Sequence, residues 1–173
     1  MDAYQISALF EGEGISASQK VEMLTEVQQL LRQQLEEELA LFEKPSLLTH
    51  LHTSDETIQR LVDYWQAEPN VSVFVVTRNH HVCAFLAGQL KNDIYNNQDV
   101  VSGEVLAVFV AKAYRNQGLG TSLLDHAQSW FKAHDAYSVN VSWLKGNDPS
   151  GSLYRKFGFE PVYTTGRKIL GAQ

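Results

Sequence analysis

Two hydrophobic rhythms alternate along this chain, and each change of rhythm marks a new element. Tyr4-Gln5-Ile6-Ser7-Ala8-Leu9 alternates apolar and polar side chains and predicts a first strand. Over residues 17–43 the spacing lengthens. Val21, Leu24, Val27, Leu31, Leu35, Leu39 and Phe42 trace one helical stripe, with Ser16 or Ser18 placed to cap its start and Pro45 to end it. A second helix is predicted from about Ser54 to Gln66, capped by Ser54 or Asp55, with Ile58, Leu61, Val62 and Trp65 inward.

Runs rich in β-branched residues, Val71–Thr77 and Val82–Leu90, then predict a hairpin turning across Arg78-Asn79-His80-His81. A strand over 100–111 leads into a helix over 118–133, whose Leu119, Leu123, Leu124, Ala127, Trp130 and Phe131 recur at helical spacing. A strand over 137–144, a helix over 150–157 and a last hairpin around Thr164-Thr165-Gly166 complete the order. That order, β-α-α-β-β-β-α-β-α-β-β, is an α/β layered domain occupying 1–173, without repeat or linker.

The segment carrying most chemistry joins the strand of Val105–Val110 to the helix that follows. It reads Arg115-Asn116-Gln117-Gly118-Leu119-Gly120. Glycines between a strand and a helix start leave backbone N–H groups bare, and with the helix macrodipole they suit phosphate oxygens. A dinucleotide fingerprint needs a third glycine that is missing here, and a Walker A loop needs a lysine after Gly120 that is also missing.

What remains is Arg115-x-x-Gly118-x-Gly120 after a strand. It resembles the acetyl-CoA signature of the GNAT N-acetyltransferase superfamily, [Q/R]-x-x-G-x-[G/A]. Val110 to Arg115 also fits that family's V-x-x-x-Y-R, although Lys112 stands where proline is usual, a change of turn rigidity rather than of chemistry. A second block, Asn147-Asp148-Pro149-Ser150-Gly151-Ser152-Leu153-Tyr154-Arg155-Lys156-Phe157-Gly158-Phe159, resembles the family's N-x-x-[small]-x-x-L-Y-x-K-x-G-F at the family's spacing. The two blocks extend the resemblance over roughly residues 70–165. It implies a central mixed, mostly antiparallel sheet of about six or seven strands flanked by helices.

Composition narrows the setting. No apolar run reaches the roughly 18 residues that span a bilayer, and no basic-then-apolar leader opens the chain, so a soluble cytoplasmic protein, monomer or homodimer, is expected. The net charge of −6 argues against nucleic acid and mildly favours a cationic acceptor such as an amine. The lone Cys83 lies in a strand-like run and reads as a buried small hydrophobe. His80 and His81 fall at a turn without matching ligands, and His50 and His52 are similarly unaccompanied, so no metal site is expected. Glu36-Glu37-Glu38 reads as a solvated helix face, with attraction of a cationic acceptor as the alternative.

Acetyl transfer from a thioester to an amine requires a held thioester, a neutral amine, a stabilised oxyanion and a protonated leaving thiolate. The resemblance assigns the pyrophosphate of acetyl-CoA to the backbone N–H groups of Gln117, Gly118, Leu119, Gly120 and Thr121, assisted by Arg115 and the Thr121 or Ser122 hydroxyl, with Asn116 in the same turn. A Cβ at Gly118 is expected to crowd the phosphate. The resemblance also places the pantetheine arm along Val108-Phe109-Val110 like an added strand, with an N–H near Val110 as oxyanion donor.

Tyr154 is the expected general acid, and Asn147 is expected to contact the cofactor arm or the acceptor, or else to cap a turn. Glu104, eleven residues before Arg115, is the expected base, or else an exposed strand-end residue. An N-acetyltransferase working by direct attack is the leading expectation, and a CoA-binding sensor or inactive relative is the alternative. Asp93, Tyr95 and Asp99 are candidate acceptor-pocket residues.

Overall fold

The computed structural model describes residues 4–11, 14–41, 53–92 and 100–167. Strand β1 (Gln5–Ala8) is followed by helices α1 (Ala17–Ala40) and α2 (Asp55–Ala67) and strands β2 (Val71–Arg78), β3 (His81–Asn92) and β4 (Val101–Val110). A short 3-10 turn at Lys112–Tyr114 leads to α3 (Leu119–Ala133), β5 (Ser138–Val141) and α4 (Asp148–Lys156). Ser16 caps α1 through a full capping box with Gln19, and Ser54 caps α2. The predicted residues Phe42, Pro45, His50, His52, Asp93, Tyr95 and Asp99 lie outside the described residues.

The strands form one sheet in the order β1-β2-β3-β4-β5, antiparallel except for the parallel β4–β5 pair. The β2–β3 hairpin turns on Asn79 and His80, whose φ values of 51° and 67° match the right-handed strand twist. Helices α1 and α2 cover one face through Val27, Leu31, Ile58, Val62 and Trp65, meeting Val73, Val75, Phe85 and Phe109. Helix α3, with Tyr154 of α4, covers the other face over Phe74, Val76, Leu86 and Val105.

Two expectations fail here. Among the described residues the sheet has five strands, not six or seven, and residues 160–167, the described part of the hairpin expected around Thr164-Thr165-Gly166, carry no strand. A strand exists by pairing and by burying one face. Val162 and Tyr163, 75% and 89% exposed, gain no such burial here. The stripe on α1 also rotates. Val21 is exposed, and Leu30 is buried in its place beside Val27, Leu31 and Leu35.

One contact fixes α3 on the sheet. Phe131 is fully buried and lies across Gly88 of β3 and Gly103 of β4. A Cβ on Gly103 would come within 2.6 Å of that ring, and one on Gly88 within 3.0 Å. Gly103→Ala is therefore expected to destabilise the protein by about 1–3 kcal/mol, and Gly88→Ala by less. Urea unfolding checks this as a lower midpoint at unchanged slope, ordered Gly103 before Gly88.

Candidate active site

Strand β4 runs beside β5 only from Ser102 to Val105, where Val105 faces Val141. Its remaining residues, up to Val110, pair only with β3 among the described residues. The register with β3 slips at the same point: Ala87 faces Ala107 but Gly88 faces Val105, so Leu106 is an extra residue. Such a bulge bends its strand and increases its twist, which turns β4 away from β5. The Ala111 N–H donates to the Cys83 carbonyl at 2.9 Å. By alternation in an antiparallel ladder, the N–H and C=O of Val108 and Val110 point to the open side.

At the end of this edge the chain turns through Asn116 (φ 61°) and Gly118 (φ 80°) into α3. The first intrahelical bond runs from Ser122 N–H to Gly118 O at 3.0 Å, and no side chain caps the helix. The N–H groups of Leu119, Gly120 and Thr121 precede that bond and have no intrahelical acceptor. A phosphate fits this place, because a Cβ built on the exposed Gly118 meets nothing within 4 Å.

The two glycines do different work. Gly118 is required by its left-handed backbone, whereas a Cβ on Gly120 would approach Leu153 of α4 to 3.1 Å.

The side chains around the turn are largely engaged. Arg115 donates from Nε to the Val110 carbonyl at 2.9 Å, and one terminal nitrogen donates to both Glu37 oxygens at 2.8 Å. Its guanidinium also lies over the Phe109 ring. Gln117 accepts from the Tyr4 hydroxyl, and Ser122 donates its hydroxyl to Gly118 O. Thr121 is exposed at the helix start.

Tyr154 is 4% exposed, between Trp143 and Phe159, and its hydroxyl has no hydrogen bond among the described residues. Burial pushes its phenol well above the usual tyrosine range, and the Glu38 carboxylate adds to the rise. Asn147 is the N-cap of α4 and accepts from Ser150 N–H at 3.2 Å, which is the capping role. Glu104 lies between Gly103 and Val105, which face α3, so it points to the opposite face, where it is ion-paired with Lys91.

Cys83 is buried on β3, with its thiol against the Val76 carbonyl and its pKa pushed up by burial. His81 is held by Glu26 of α1 at 2.8 Å. Among the described residues no group of three side chains is placed to hold a metal. No described helix is long and apolar enough to cross a membrane.

Glu38 departs from the expected solvated triplet. Glu36 and Glu37 are exposed, but Glu38 is half-buried and accepts from Gln34 Nε2 at 3.0 Å. It continues the buried face of α1 one turn beyond Leu35. Burial raises its carboxyl above the ordinary range, opposed by the Gln34 bond. The letters contained a signal for it: Leu31, Leu35 and Glu38 share one helical face, so a carboxylate occupies a core-facing position.

Residues 29–159 match the acetyltransferase (GNAT) family. The chain belongs to that family. A 64-residue stretch is 34% identical to an N-alpha-acetyltransferase of Sulfurisphaera tokodaii, covering 36% of this chain and 38% of that protein. The aminoglycoside N-acetyltransferase AAC(6')-Iy, solved with a CoA-linked bisubstrate analog, superposes with TM-score 0.65 at 17% identity over 99% of this chain and 98% of its own. Glucosamine-6-phosphate N-acetyltransferase from Arabidopsis thaliana superposes with TM-score 0.66 at 15% identity over 98% and 100%. These solved structures share the fold.

The raised carboxyl of Glu38 has a consequence for stability. A buried carboxyl whose folded pKa exceeds its unfolded value is penalised only where it ionises, so the penalty grows as pH rises through the carboxyl range. Glu38→Gln is expected to match the wild-type Tm near pH 4 and exceed it by roughly 1–3 °C at pH 8. Thermal melts across that range measure the difference.

Proposed function

We propose that this protein is an acetyl-CoA-dependent N-acetyltransferase that acetylates a primary amine by direct attack within a ternary complex. The observation carrying the reading is one continuous surface: the open edge of β4 leads straight to the uncapped start of α3, with the Tyr154 hydroxyl unpartnered nearby. Family membership supplies the acetyl-CoA donor. The named relatives act on amines of several kinds, which supports amine acetylation without choosing among acceptors.

The residues divide the work as follows. N–H groups of Gly118, Leu119, Gly120 and Thr121 hold the pyrophosphate at the positive end of α3, with Gln117 and Asn116 shaping the turn. The outward N–H and C=O of Val108, flanking Phe109, pair with the amide-rich pantetheine arm, and the outward Val110 N–H, whose carbonyl Arg115 holds, faces the thioester carbonyl.

Arg115 braces this edge through Val110 and Glu37, so its contribution to phosphate is through the shape of the turn. Asn147 holds the start of α4 and thereby Tyr154. Direct attack is favoured because Cys83 is buried with its thiol protonated and turned to a carbonyl.

Tyr154 acts on the leaving sulfur. Its raised pKa keeps the phenol protonated throughout the working range, so it donates a hydrogen bond to the departing thiolate at every such pH. The amine must also lose a proton before attack. Glu104, the carboxylate first expected to take it, is engaged by Lys91 and lies on the face away from α3.

Thiol release from acetyl-CoA with a panel of polyamines, aminoglycosides and N-terminal peptides tests the activity, and release with none of them overturns it. Tyr154→Phe is expected to lower kcat by about 10–10²-fold without altering the pH profile below pH 9. Gly118→Trp is expected to lose acetyl-CoA binding in calorimetry while remaining folded.

A further inference from the structure

Helix α1 belongs to one face of the sheet and α4 to the other, yet polar groups of both converge at the open edge of β4. Arg115 marks the place: it bonds the outward carbonyl of Val110 and, through Glu37, the last turns of α1. Glu38 is the next residue. It turns inward on the stripe of Leu31 and Leu35, and it lies close enough to Tyr154 for its charge to act on the phenol.

Two observations leave this group incomplete. Among the described residues Gln34 Oε1 is buried without a hydrogen-bond partner, and the Tyr154 hydroxyl, on a side chain only 4% exposed, makes no hydrogen bond. A buried acceptor without a donor costs about 1–3 kcal/mol, and a ligand that brings a donor would recover it. A carboxylate and an amide oxygen together call for a ligand with several N–H donors. An ammonium is that ligand.

We propose that Glu38 receives the acceptor's ammonium at the open edge of β4 and takes its proton, with Gln34 Oε1 as the second hydrogen-bond acceptor. This rests on the N-acetyltransferase reading above and names a second candidate for the base beside Glu104. One N–H proton passes to the Glu38 carboxylate, leaving a neutral amine with its lone pair. The C–N bond to the thioester carbonyl carbon forms and the C–S bond breaks, with the electron pair leaving on sulfur.

The thiolate, hydrogen-bonded by Tyr154, takes one proton, and the amide nitrogen sheds its surplus proton. The sum is one ammonium and one thioester giving one amide, one thiol and one released proton. Among the described residues Gln34 on α1 bonds Glu38 and Tyr154 from α4 feels its charge, while Arg115 after β4 is engaged by the neighbouring Glu37.

The test uses the full chain and the amine that turns over best among a polyamine, an aminoglycoside and an alanyl peptide. Glu38→Gln is expected to lower kcat/KM for that amine by about 10²-fold and to remove the acidic limb of its pH profile. Its acetyl-CoA Kd should stay within about two-fold of wild type, the control for folding. With hydroxylamine, uncharged near pH 7.5, the defect should shrink to about three-fold or less, because no ammonium need be received.

Glu104→Gln, run in parallel, should keep the acidic limb. A Glu38→Gln enzyme with an intact acidic limb overturns the proposal and leaves the acetyltransferase reading standing. So does a defect of equal size with hydroxylamine, or one shared by acetyl-CoA binding. Wild-type protein that acetylates none of these amines overturns both.

Discussion

A strand inside a sheet has its backbone groups satisfied along both edges, and β4 has this only as far as Val105. Beyond that residue one edge is left to find its partners elsewhere. The Leu106 bulge is the local cause, because one extra residue twists β4 just where β5 stops following it. An unpaired strand edge is ordinarily a hazard for aggregation. Here Arg115 covers part of it through the Val110 carbonyl, and the cluster of Trp143, Tyr154 and Phe159 stands nearby. The edge is thus sheltered from other chains while remaining open to an extended, amide-bearing ligand.

Such an edge is useful only if the phosphate turn at its end is held in register with it. Glycines accomplish this by permitting close approach. Gly88 and Gly103 admit the Phe131 ring and seat the far end of α3, while Gly120 admits Leu153 and ties its near end to α4. Gly151 lets Trp143 come close to α4, with its indole nitrogen 2.9 Å from where a Cβ would stand. Tyr154 is carried on that same helix. The geometry of the candidate site is therefore set by contacts that are apolar and distant from the reacting atoms.

Strongly periodic elements were legible in the sequence for physical reasons. The stripes of α2 and α3 and the β2–β3 hairpin appear close to the positions their spacing predicts. The turn before α3 was legible because glycine at Gly118 answers a backbone demand that other residues meet poorly. Residues 160–167 were misjudged as strand because alternation describes a segment's capacity to pair and not the presence of a partner. The Leu106 bulge left no trace in the letters, since nothing in Val105-Leu106-Ala107 distinguishes a bulged residue from a paired one. Asn147 was legible as polar and near a helix start, and its cap follows from its own side chain.

The misreading of Glu36-Glu37-Glu38 carries a more general argument. A run of three like charges on a helix cannot all face one way, since successive residues rotate by about 100°. In a helix already packed through Leu31 and Leu35, one member of the run must turn toward the sheet. That residue is Glu38, and burying a carboxylate opposes folding wherever it is ionised. Glutamine at this position would relieve the opposition while keeping an acceptor for the Gln34 amide and offering a donor to its unpaired oxygen. Groups that each weaken the folded state, gathered at the open stretch of β4, mark where selection on chemistry outweighs selection on stability.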